Sequence, residues 1–147
     1  MIYGIEVYSN TSKKALDKLC KLNNKILRIL LSKKLRTPVP ELYSSMHTFP
    51  IPFLHEINIL KFIHKCLYNK HLVPEIFHEY YTESCTLHSH FTRRRNDLFL
   101  SSINSTFGFR NSMFHGSSLW NKLPNNLKNI TSIPLFNKEL KQIYRSL

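Results

Sequence analysis

The chain has 147 residues, with 21 lysines and arginines against 9 aspartates and glutamates, a net charge of +12 and a pI near 9.8. That length suits one domain with a real core, and the excess of cations favours polyanionic partners, RNA or DNA backbone foremost. Asp17 and Asp97 are the only aspartates, so no Asp-Asp or Asp-x-Asp pair can hold two Mg²⁺ ions, which argues against a self-contained polymerase or nuclease.

The opening "MIYGIEVYSNTSKK" reaches polar residues too early for a signal peptide, and the longest apolar run, "ILRILL" at 26–31, is broken by Arg28 and too short for a bilayer. The expectation is a soluble chain with no membrane span. Cys20, Cys66 and Cys85 are odd in number and far apart. They read as core hydrophobes in a reducing, intracellular setting; nucleus and cytoplasm are not distinguished.

"TSKKALDKLCKLNNKILRILLSKKLR", 11–36, predicts the longest helix, part of a basic amphipathic segment over 1–36, with Thr11 or Ser12 as its cap. Leu16, Leu19, Asn23, Ile26 and Leu30 recur at three- and four-residue steps as the apolar face. Lys14, Lys18, Lys21, Lys25 and Arg28 recur at the same steps about 200° around the wheel, an opposing cationic stripe. A solvated helix face gives the same pattern. Only Asp17 is available to pair locally, however, and that favours a stripe kept for an anionic partner.

Pro38, Pro40, Pro50 and Pro52 leave room for one short turn at 41–46. Helical spacing resumes in "INILKFIHKCLYNK", within a helical region over 53–81, and Pro74 suits the first turn of a short helix, "PEIFHEYY". Over 82–116 the periodicity fades into a loop with candidate short strands at "DLFL", "TFGFR" and "SMFHG", where Phe107 and Phe109 alternate onto one face. Helix returns over 117–147. "SSLWNKLPNNLKNI" ends at Pro124 with Leu119, Trp120 and Leu123 buried together, and the last helix, capped at Ser132, shares Phe136, Leu140, Ile143, Tyr144 and Leu147 on one face. The predicted fold class is mainly α: a single small helical segment with a loop-rich middle and a C-terminal helix.

Within the loop, "HSHFTRRRN" (88–96) invites a metal site, but Cys85, His88 and His90 need Cys66 or His78 to complete a tetrahedral set. Gly4, Gly108 and Gly116 are the only glycines and cannot form a phosphate-cradling loop. No metal or cofactor is therefore expected. Arg93, Arg94, Arg95 and Arg110 remain as fork-shaped donors to phosphate, with His88 as a structural polar group.

As an ordered set, "YGIEVYSNTSKKALDKLCKLNNKILRIL", "INILKFIHKCLYNKHLVPEIF", "HSHFTRRRN" and "FGFRNSMFHGSSLWNKLPNNLKNITSIPLFNKELKQIY" resemble the C-terminal, post-polymerase segment of reverse transcriptases from LINE-type, jockey-like non-LTR retrotransposons. The most specific pieces are the Tyr-Gly-Ile start, the element occupied by His88, Thr92 and Arg93, and G-x-x-L-W-N-x-L-P from Gly116 to Pro124. Tyr8 stands where the family commonly has tryptophan. The resemblance implies a fragment of an RNA-directed DNA polymerase that follows fingers, palm and thumb and helps hold template RNA or target DNA. It also implies that Met1 is an internal methionine of a longer ancestral frame. With no counterpart of the palm's Ala-Asp-Asp box or of the endonuclease, no catalytic residue carries over. The competing expectation is a non-catalytic interaction module whose basic stripe packs on an acidic partner surface, such as the upstream polymerase domain.

Overall fold

The computed structural model describes Ile5, residues 11–87 and residues 97–146. Among these the protein is mainly α-helical, and its extended pairing is a single antiparallel bridge between Glu83 and Leu98. No helix among them is long and apolar enough to cross a membrane. The chain divides into two compact units, Met1–His55 and Glu56–Leu147.

In the first unit, α1 (Lys13–Leu30) starts at Ser12, whose hydroxyl accepts the Ala15 N–H at 3.4 Å. It stops six residues short of the expected Arg36. Ser32 adopts φ 50°, which lets the Lys33 N–H reach the Arg28 carbonyl at 2.9 Å and the Ser32 N–H reach that of Ile29 at 3.1 Å. These two bonds form a Schellman motif, which satisfies the last carbonyls and turns the chain. The Arg28 guanidinium then donates to the Thr37 carbonyl at 3.1 Å and holds the turned segment back against the helix.

The next helix, α2 (Val39–Ser45), carries Pro40 in its first turn, where the missing N–H would have had no intrahelical acceptor. It ends in the same way. His47 sits at φ 48°, with the Thr48 N–H on the Tyr43 carbonyl and the His47 N–H on that of Ser44, both at 3.1 Å. Left-handed backbone usually falls to glycine, but here serine and histidine take it.

Leu27, Leu42 and Tyr43 form the small core between α1 and α2, with Leu31 and Val39 packed on them. The Tyr43 hydroxyl accepts from the Asn23 amide at 2.9 Å and donates to the Asn24 amide oxygen at 2.6 Å, so its polar tip is satisfied. On α1 Leu27 is buried and Leu16, Leu19, Cys20, Asn23, Asn24 and Ile26 are half-buried, a face centred roughly 40° around the wheel from the expected one, of which Leu16, Leu19, Asn23 and Ile26 keep their place. Leu30 was expected inside but is 65% exposed, as are Ile29 (69%) and Leu22 (52%). The Tyr43 hydroxyl bonds Asn24 as well as the expected Asn23, which brings the Asn24 side of the helix inward.

Ahead of the predicted resumption of helix, α3 begins at Ile51 and runs to Tyr68, with Pro52 tolerated in the first turn. From Glu56 onward it is the hub of the second unit: Ile57, Ile59, Leu60, Ile63, His64 and Cys66 are all buried. Two 3₁₀ turns follow, Lys70–Leu72 and Glu75–Phe77, so the helix expected after Pro74 is only three residues long. Edge-on aromatic contacts tie the second turn back: Phe62 meets Phe77 at 5.1 Å and Tyr81 at 6.2 Å.

After α4 (Ser84–Leu87), the strands expected at 106–110 and 112–116 are helices instead, α5 (Thr106–Arg110) and α6 (Ser112–Lys122). Side-chain caps override the Phe alternation. Ser105 accepts the Gly108 N–H at 3.1 Å and Asn111 accepts that of Met113 at 3.1 Å, while Phe107 is left 81% exposed. At "DLFL" only Leu98 is bridged.

The chain closes with α7 (Asn125–Lys128) and α8 (Ile133–Ser146), the latter carrying Pro134 in its first turn. Tyr144 donates to Glu56 at 2.8 Å and His64 stacks on Phe136 at 4.2 Å, pairings that set α8 antiparallel to α3. Leu60 and Leu140 are fully buried, and full burial of each such side chain stabilises by about 1.5–3 kcal/mol. Trp120 is also buried, 5.9 Å from Phe136; Leu119 and Leu123 are half-buried.

Candidate nucleic-acid interface

On α1, Lys14, Lys18, Lys21 and Lys25 are exposed and fall within about 60° of one another around the helix. Eleven residues at 1.5 Å give the stripe a length of about 17 Å, comparable to five nucleotide steps along one strand of duplex DNA. Asp17 borders it. Among the described residues the ion pairs are Lys33 with Glu41 and Lys128 with Asp97, so none of the four lysines is neutralised by one.

Arg28 differs from its expected companions. It is half-buried, with one terminal nitrogen spent on the Thr37 carbonyl and its Nε buried without an acceptor among the described residues. Its charge serves the end of α1 first, which Lys14 to Lys25 are free of. Arg110, in the second unit, is exposed in the last turn of α5 and donates to the Thr106 carbonyl at 3.2 Å. His88, Arg93, Arg94 and Arg95 lie outside the described residues.

The described residues flanking that segment are fixed with care. The Ser84 N–H donates to the Asp97 carbonyl and the Phe99 N–H to that of Thr82, both at 2.8 Å. On its other edge, Leu98 meets the Asn121 side chain: the amide oxygen accepts the Leu98 N–H at 2.8 Å and the amide nitrogen donates to the Leu98 carbonyl at 2.9 Å. Asp97 receives the buried Lys128 ammonium at 2.9 Å, which also reaches the Asn121 carbonyl at 3.2 Å.

The same geometry explains the element from Gly116 to Pro124. A Cβ at Gly116 would lie 2.9 Å from the Tyr81 hydroxyl and 3.0 Å from both Ile59 and Ile63, so only glycine lets α6 cross α3 this closely. Trp120 fills the core, Asn121 clasps Leu98, and Pro124 precedes α7. These residues work in packing.

Two groups weighed as metal ligands are committed elsewhere. His78 is placed on the Lys70 and Val73 carbonyls, at 2.9 and 3.2 Å, and the buried Cys66 thiol is pushed up to about 11 by desolvation. No group of three or more His, Cys, Asp or Glu among the described residues is placed to hold a metal ion.

A second cationic group went unread in the sequence. Lys61 on α3 is half-buried, and burial, then the charges of Lys141 on α8 and Lys65 one turn further along α3, lower its ammonium pKa. The only local sign is a like-charged i,i+4 pair with no acid beside it, since Lys141 joins only through tertiary packing. No protein-family model matches the chain, and neither does any curated protein or solved structure.

Proposed function

We propose that the chain is a non-catalytic tail segment of a non-LTR retrotransposon reverse transcriptase that grips the backbone of template RNA or target DNA. The observation that supports this best is the row of four exposed lysines on α1, unrelieved by any ion pair among the described residues. Lysine is a point charge that neutralises phosphate without reading bases, so the grip is sequence-independent. Arg93 to Arg95 and Arg110 are further cations available to phosphate.

The salt dependence of binding tests it. Each neutralised phosphate of a single strand contributes about 0.7 to the slope of log affinity against log salt, so Lys14→Gln/Lys18→Gln/Lys21→Gln/Lys25→Gln should flatten that slope by about 3. An unchanged slope refutes the grip.

The exposure of Leu22 and Ile29 beside the lysines favours a second reading. An apolar ridge flanked by cations suits an acidic amphipathic protein surface, such as one on an upstream polymerase domain. No binding of single-stranded or duplex nucleic acid at low salt selects this reading over the first.

A further inference from the structure

Among the described residues Phe107 is the most exposed large apolar side chain, at 81%. The single turn that carries it is pinned from the other side. Ser105 caps α5 by accepting the Gly108 N–H at 3.1 Å, and Gly108 lies so close over Ile103 that a Cβ there would strike the isoleucine side chain. Phe109 sets its ring edge-on to Phe114, with centroids 5.2 Å apart. Gly108 and Phe109 therefore anchor one side of α5, and Phe107 and Arg110 share the opposite side, about 60° apart and one turn along the helix.

The Arg110 Nε donates to the Thr106 carbonyl at 3.2 Å, which holds the side chain against the helix and leaves its terminal nitrogens without a partner among the described residues. No carboxylate opposes it nearby in the chain: from Leu98 to Lys138 there is no aspartate or glutamate. The exposed neighbours, Asn104, Ser105, Thr106 and Asn111, are neutral hydrogen-bonding groups. Stacking asks for one open ring face, and a phosphate for one guanidinium with no acid beside it. We propose that Phe107 is a stacking platform for an unpaired base, with Arg110 taking the adjoining phosphate, so that the second unit binds nucleic acid as a single strand. This rests on the reading of nucleic acid as the partner, and it uses none of the residues of the α1 stripe.

The full chain is titrated with three probes about 30 nucleotides long: a thymidine oligomer, the same backbone without bases, and a duplex. Phe107→Ala should weaken binding of the thymidine oligomer about 5- to 150-fold and leave its salt slope, the abasic strand and the duplex unchanged. Phe107→Trp should restore the affinity, whereas Phe107→Leu, apolar but without a π-face, should not. Arg110→Gln should flatten the slope by about 0.7, and an unchanged slope overturns the phosphate contact. Thymidine-oligomer affinity that ignores Phe107→Ala, falls equally for the abasic strand, or is rescued by leucine overturns the platform; rescue by leucine marks an apolar docking point for protein instead. A native chain that binds none of the probes sinks the nucleic-acid reading and the platform together, while oligomer binding indifferent to position 107 sinks the platform alone. The melting temperature of Phe107→Ala should match the native one, because the ring is exposed; a lower one marks it as structural and overturns the proposal.

Discussion

Replacing Asp97 by alanine tests whether the segment after residue 96 is held by charge. The Lys128 ammonium is almost wholly buried, its side chain 8% exposed and that of Asp97 20%, at a separation of 2.9 Å. Removing one partner of a buried pair costs about 3–5 kcal/mol, because the remaining charge is stranded. Here Lys128 keeps the Asn121 carbonyl and the pair is partly open to solvent, so the cost falls to the bottom of that range or just below it, about 2–3 kcal/mol. Urea unfolding followed by tryptophan fluorescence isolates the effect, since Trp120 is the chain's only tryptophan and is buried in the second unit. Adding Lys128→Met to the alanine variant should restore most of the loss. A cost below about 0.5 kcal/mol, or a double-mutant coupling near zero, would mean that the pair behaves as a solvated surface contact and would refute the argument.

Three further outcomes follow from the geometry. Gly116→Ala forces Tyr81, Ile59 or Ile63 to move and should destabilise the second unit by about 1–3 kcal/mol, read by the same Trp120 transition. Ser32→Gly and His47→Gly relieve left-handed backbone and should each stabilise their turn by about 0.5–1 kcal/mol, measured as slower hydrogen exchange at the Lys33 and Thr48 amides. Desolvation, partly offset by the bond to the Ile130 carbonyl, lowers the His64 pKa below its ordinary 6.5, and His115 shifts the same way. Their contribution is full above pH 6.5 and is lost as pH falls through the lowered values, because the unfolded chain then binds more protons. The His64→Gln variant, able to donate to Ile130 without titrating, should lose part of that acid dependence in denaturation curves between about pH 5 and 7; an identical curve would count against the neutral, buried imidazole.

Where periodicity and burial coincide, the sequence was readable. Phe136, Leu140 and Tyr144 are buried on α8 as their spacing predicts, and Ser12 caps α1. Reading failed where tertiary partners or caps decide. Spacing placed Asn23 on the inner face, but nothing local announces that Tyr43 will draw Asn24 in beside it, nor that Ser105 and Asn111 will make helices of an alternating aromatic stretch. The stripe from Lys14 to Lys25 was legible because it lies on one helix, whereas the role of Arg28 at the end of α1 depends on Thr37 in the following turn.

The clasp of Asn121 on Leu98 lets a helix do what a neighbouring strand does in a sheet: it fixes register. Leu98 is 1% exposed and Phe99 43%. A slip by one residue would therefore bring Asp97 or Phe99 to the place of the core leucine and misalign Lys128 as well. Insertions or deletions between positions 88 and 96 meet this stop before they reach the rest of the unit. The same leucine should therefore keep its place in the core when residues are added or removed ahead of it.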